Sequence, residues 1–166
     1  MTLGLSLSAF TTLHVVISLI GIASGFVVLL GMLSASRLPR WTAVFLVTTV
    51  LTSATGFLFP FTQVLPSHIV GAISLVVLLL ALVALYGKGL AGSWRWIYVI
   101  GSVFALYLNV FVLVVQSFLK IPDLNRLAPT QTEPPFLIAQ LLVVGLFVFL
   151  GIPAVRRFHP APARPV

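Results

Sequence analysis

The stretch AFTTLHVVISLIGIASGFVVLLGMLSASRLPR, Ala9–Arg40, decides how the rest of this chain is read. From Ala9 to Leu33 it carries no charged residue, and at about 1.5 Å of helical rise per residue such a run outlasts the roughly 30 Å of hydrocarbon in a bilayer. It then gives way to a short polar connection, in which Pro39 discourages continuation of the helix and Arg37 and Arg40 bring charge. The same alternation recurs along the 166 residues and predicts spans at about 9–33, 41–59, 68–86, 96–119 and 135–155. The fold class expected is all-α: an integral membrane bundle of five transmembrane helices in a single domain over 1–155, followed by a basic, Pro-rich cytoplasmic tail over 156–166.

Composition agrees with lipid as the solvent. Hydrophobic residues make up 60% of the chain, charged residues only 7%, and mean hydropathy is +1.23, whereas soluble proteins are about 25% charged. The first run lacks a basic segment before it and is longer than a secretory h-region, so it reads as a retained span. Without cysteine there is neither a disulfide framework nor a thiolate to bind metal or attack a substrate.

A net charge of +7 raises the question of nucleic acid, and the positions of the cations answer it. Arg37 and Arg40, Lys88 and Arg95, and Arg156, Arg157 and Arg164 fall in alternate connections, while the other side holds Lys120 and Arg126 beside Asp123 and Glu133. Seven cations against two is a positive-inside pattern, which places the N-terminus outside and the C-terminus inside and requires an odd number of spans. The partner so implied is the lipid bilayer, not nucleic acid. Trp41, Trp94 and Trp96 all fall at the inner boundary, where an aromatic belt belongs. Ser67 reads as the N-cap of span 3, Gly87, Gly89 and Gly92 as an inner turn, and Lys120–Pro134 as the longest loop.

Polar groups inside hydrocarbon must face other helices or water. In span 1, His14, Ser18, Gly21 and Gly25 share one stripe, and the two glycines match the small-xxx-small pattern of close helix packing. Span 2 carries Thr48, Thr52 and Thr55 on one face with Thr49, Ser53 and Gly56 beside it, and span 4 lines one side with Tyr98, Ser102, Ala105, Asn109 and Gln116. His14 lies roughly 8 Å inside the outer boundary, Gln116 roughly 6 Å and Gln140 roughly 8 Å, with His68 at the start of span 3 and Asn109 near the midplane. Four helices thus bring polar groups to the outer third, and a pocket of His14, Thr52, Thr55, His68, Asn109, Gln116 and Gln140 is expected there.

His14 and His68 can ligate a b-type haem iron as an axial pair, help to bind a quinone or other small organic ligand, or simply hydrogen-bond neighbouring helices. A closed mononuclear metal site wants about four ligands, which the spans do not supply. The only carboxylates, Asp123 and Glu133, lie in a loop, so no nucleophile, base and orienting acid can be assembled. Nucleotide use and proton pumping lack their residues as well, and the protein is not expected to be an enzyme.

The stretches HVVISLIGIASGFVVLLGML, ATGFLFPF, LPSHIVGAISL and YLNVFVLVVQSFLK resemble a group of small multi-pass inner-membrane proteins of proteobacteria to which no activity is assigned. That resemblance implies a bacterial inner-membrane location and no site residue. Three functions stay open: a pocket in the periplasmic third for haem or quinone, a non-catalytic accessory or structural subunit packed against other membrane subunits or its own copies, and a passive channel or carrier for a neutral solute along the Tyr98–Gln116 stripe.

Overall fold

The computed structural model of the chain describes residues 4–60 and 66–160. Five long helices stand where apolar runs were expected: α1 (Leu7–Leu33), α2 (Pro39–Gly56), α3 (Pro66–Leu82, continued by a π-helical turn over Val83–Gly87), α4 (Trp94–Lys120) and α6 (Pro134–Arg157). A short helix, α5 (Pro122–Leu127), occupies the loop read as irregular. Four of them, α1, α3 with its π turn, α4 and α6, are long and apolar enough to cross a membrane, so the protein is an all-helical membrane protein.

α2 differs for a physical reason. At 18 residues it reaches about 27 Å, and it carries Arg40 and six hydroxyl side chains, which lower its mean hydropathy. It lies against α1, α3 and α4, turns Thr42, Thr49 and Ser53 inward, and leaves Val44, Val47 and Leu51 outward. That is the reverse of a soluble amphipathic helix, with the polar side buried and the apolar side outward.

The helix ends follow from local chemistry. Ser6 caps α1 by accepting from Ala9 N–H at 3.2 Å. At its other end the N–H of Ser36 reaches Gly31 O at 2.8 Å and that of Ala35 reaches Met32 O at 3.2 Å, a Schellman closure with Ala35 left-handed at φ +53°. α3 begins at Pro66, so Ser67 lies inside the first turn and not at the cap. Its π turn ends with Lys88 N–H on Val83 O at 2.9 Å, and Gly89, Leu90 and Gly92, all with positive φ, swing the chain into α4. α6 continues through Arg156 and Arg157, two residues past the expected end of the span. Residues 161–166 of the expected tail, with Pro162, Arg164 and Pro165, lie outside the described residues.

Successive helices run antiparallel, and α4 is the one that the others share: it touches α1, α2, α3, α5 and α6. α3 and α6 take opposite flanks of α4, while α1 packs on α2, α4 and α6. Burial follows this arrangement, covering 44% of the most apolar part of α1 and α4, 22% in α3 and 11% in α6. The core of Val28, Leu29, Met32, Phe45, Leu46, Leu78, Tyr98, Val99, Leu106 and Phe158 lies toward the end where Arg37, Lys88, Arg95 and Arg156 gather. A smaller cluster of Phe118, Ala128 and Phe136 seats α5 at the opposite end.

Two contacts hold the arrangement. A Cβ on Gly25 would sit 2.6 Å from Leu106 and 2.9 Å from Phe45, so the missing side chain is what lets α1, α2 and α4 meet. At the basic end Arg95 donates from Nη1 to the carbonyls of Val155 at 2.9 Å and Phe158 at 2.8 Å, bonding the end of α6 to the start of α4. At the other end Glu133, just before α6, accepts from the Thr130 hydroxyl at 2.9 Å and from the N–H groups of Thr130 and Thr132. Desolvation opposes ionisation there, but these bonds outweigh it and hold the Glu133 carboxyl below the ordinary glutamate value.

Two expectations follow. Gly25→Ala should destabilise the bundle by about 1–3 kcal/mol through overpacking, whereas Gly145→Ala should not, because a Cβ there meets nothing within 4 Å; unfolding by graded SDS in mixed micelles distinguishes them. Because the folded carboxyl is the more acidic, its ordering of the Thr130–Glu133 turn is present at neutral pH and lost as pH falls below about 4.3. The protection factor of the Thr132 amide, its exchange slowed relative to the intrinsic rate at the same pH, should fall across that window in the wild type and stay flat in Glu133→Gln.

Candidate functional site

The polar residues expected to form one pocket are distributed over different helix pairs. His14, on α1, meets the last turn of α2: its Nδ1 lies 2.8 Å from Thr55 Oγ1, and its ring stands edge-on to Phe59 with centroids 5.1 Å apart. Thr55 already donates its hydroxyl proton to Leu51 O at 2.6 Å, so Nδ1 carries the hydrogen and donates to Thr55. Nε2 is then left as the acceptor of the ring.

His68 is buried and lies beside Phe57, with ring centroids 5.6 Å apart. Thr55 and Phe57 are two positions apart, roughly 200° around a helix, so the imidazoles contact opposite sides of the end of α2. The same end is fixed to α3 by the Ser53 hydroxyl, which donates to Ser74 Oγ at 3.0 Å. Among the described residues no group of three His, Cys, Asp or Glu side chains comes together.

The amides serve other contacts. Asn109 on α4 donates to Thr49 Oγ1 on α2 at a long 3.4 Å, beside the place where Gly21 lets α1 approach within reach of the Thr48 and Thr49 hydroxyls. Gln140 on α6 donates to Phe111 O on α4 at 3.3 Å, and its Oε1 is buried without a partner. Thr52 Oγ1 is buried without a partner too, and Gln116 is half-buried with no hydrogen bond to another described residue. Of the seven expected site residues, His14 and Thr55 meet through a hydrogen bond.

Several contacts had no signal in sequence. That Thr48 and Thr55 bond back to their own helix, while Thr49 and Ser53 bridge to α4 and α3, follows from which side of α2 each neighbour packs on. In the α4 stripe, Tyr98 is 2% exposed and packs on the Phe158 ring at 5.8 Å, and Ser102 is buried as well.

Two concavities lie elsewhere. A shallow apolar groove of about 570 Å³ runs along the outer junction of α4 and α6, lined by Phe104, Tyr107, Phe147 and Gly151 among others, with Arg156 at one end. A cavity of about 210 Å³ opens at the basic end between the α1–α2 connection, the π turn of α3 and the start of α4. No protein-family model, curated protein or solved structure matches this chain.

If the imidazole contributes through Thr55, a double-mutant cycle with His14→Ala and Thr55→Val should show a coupling near 0.6 kcal/mol and below about 1.7 kcal/mol, the span measured for bonds between membrane helices. The readout is SDS unfolding, and additivity of the two changes would show the contact to be energetically silent.

Proposed function

We propose that this chain is a five-span protein of a bacterial inner membrane, with its N-terminus outside and its C-terminus inside, and that it serves as a non-catalytic accessory or structural subunit of a larger membrane assembly. The orientation rests on the six cations Arg37, Arg40, Lys88, Arg95, Arg156 and Arg157 at one end, facing a sum of zero from Lys120, Asp123, Arg126 and Glu133 at the other. The fifth span is α2, whose hydroxyls are shielded by α1, α3 and α4. The resemblance to small multi-pass proteobacterial proteins supports the location.

One observation carries the subunit reading: each intramembrane polar pair joins a different pair of helices. His14–Thr55 joins α1 to α2, Ser53–Ser74 joins α2 to α3, Asn109–Thr49 joins α4 to α2, and Gln140–Phe111 joins α6 to α4. These groups hold the bundle together and leave the flanks free for partners. α6 presents the widest of these, with Leu141 and Leu142 at 69% and Phe149 at 74% exposure around the bare Gly145. A notch bounded by bulky apolar side chains suits the close approach of another helix.

A second reading, a small cofactor in the outer third, is favoured by His14 itself. A ring whose Nδ1–H is held by a neighbour and whose Nε2 is an acceptor has the form of an imidazole prepared for a haem iron or a quinol hydroxyl. Ligation of one haem by His14 and His68 together would require the end of α2 to move aside.

Native mass spectrometry of gently solubilised protein separates the readings. The subunit reading expects species heavier than the 17.9 kDa monomer, and a stable lone monomer overturns it. A Soret band in the oxidised and reduced protein, absent in His14→Ala, would establish the second.

A further inference from the structure

We infer that the cavity at the basic end is a binding site for a phosphate-type anion, with Arg37 as its recognition residue and a phospholipid headgroup of the adjoining leaflet as the fitting source. The inference rests on the membrane reading and not on the subunit proposal.

Arg37 lines the cavity with Thr42, Tyr86 and Tyr98, and its Nε is buried with no hydrogen-bond partner. A guanidinium nitrogen withdrawn from water needs an acceptor, because leaving a buried charged donor unmatched is costly. The chain has no acid to offer: its two carboxylates, Asp123 and Glu133, are in the connection at the opposite end. Among the described residues the one ion pair is Asp123–Arg126, exposed and 3.5 Å apart. Arg95, the nearest comparable cation in α4, already serves the carbonyls of Val155 and Phe158. Among the described residues nothing supplies the buried Nε–H of Arg37 with an acceptor, which leaves this fork-shaped donor to a ligand in the cavity.

The rest of the cavity suits an oxyanion with an apolar extension. Thr42 and Tyr98 are both more than nine-tenths buried, and the Tyr98 hydroxyl stands beside Thr42 and Ser102, whose Oγ makes no hydrogen bond of normal geometry. Hydroxyl donors thus lie near the guanidinium, while Val28, Met32, Leu85 and Phe158 make the remaining wall apolar. At about 210 Å³ the cavity is smaller than the roughly 300–1,000 Å³ that encloses a whole organic ligand. It accepts a headgroup while the acyl chains stay in the bilayer. Arginine is the residue suited to this, since its planar fork pairs with two phosphate oxygens where lysine offers a point charge.

The test uses the full chain in nanodiscs of neutral phosphatidylcholine doped with phosphatidylglycerol, and in detergent with inorganic phosphate alone. Native mass spectrometry of the wild type should retain phosphatidylglycerol over phosphatidylcholine. Arg37→Gln should lower that retention about tenfold, whereas Arg40→Gln, an exposed cation in the first turn of α2, should leave it unchanged. Arg37→Lys keeps the charge and guards against loss of folding, checked by circular dichroism; it should still lose most of the preference because the Nε–H donor is gone. If millimolar inorganic phosphate raises the melting temperature of the wild type but not of Arg37→Gln, the same site takes a soluble anion. Equal loss in the Arg37 and Arg40 variants, or no lipid preference and no phosphate shift in the wild type, overturns the assignment.

Discussion

The contact on which the rest of the bundle depends is the closure of α1, α2 and α4 around Gly25. Lipid gives helices no hydrophobic reason to associate, so their packing depends on backbones coming close enough for dispersion and short polar contacts to act. With no side chain at Gly25, Leu106 and Phe45 fill the space, and four residues earlier Gly21 brings α1 against the Thr48 and Thr49 hydroxyls. Asn109 bonds Thr49 at the same level. From this junction α4 extends to both flanks, α3 on one side and α6 on the other.

The two ends of the molecule then follow different chemistry. At the neutral end, short local bonds order the connection: Asn125 reaches back to Phe118 O, Gln131 to Val115 O, and Glu133 closes its own turn. At the basic end, Arg95 bonds the end of α6, Lys88 lies over the Trp94 ring at 5.6 Å, and Arg37 lines a cavity. Such a concentration of cations without acids suits a surface that meets anionic headgroups.

Inside the membrane, hydroxyls and amides are arranged as separate links between helices. Each is modest, near the half kilocalorie typical of such bonds, yet each also specifies a register, because a slipped helix would leave the partner unpaired in hydrocarbon. Gln140 Oε1, Thr52 Oγ1 and Ser102 Oγ, buried without partners, are points at which this matching is incomplete.

What the sequence by itself determined is the membrane class, the placement of the helices and the segregation of charge. Uninterrupted apolar length and the cost of bringing cations into hydrocarbon are properties of a segment and need no neighbour to be read. It also showed that Gly21 and Gly25 form a packing stripe, since spacing alone reveals a face. Which groups meet across helices was settled only by tertiary structure. Residues expected in the same third of the bilayer, such as His14 and His68, can lie on opposite sides of a third helix, and depth carries no information about azimuth. Arg37 shows the same limit from the other direction: as a sequence position it is one more inner-face cation, and only the fold around Tyr98 and Thr42 buries its Nε beside a cavity.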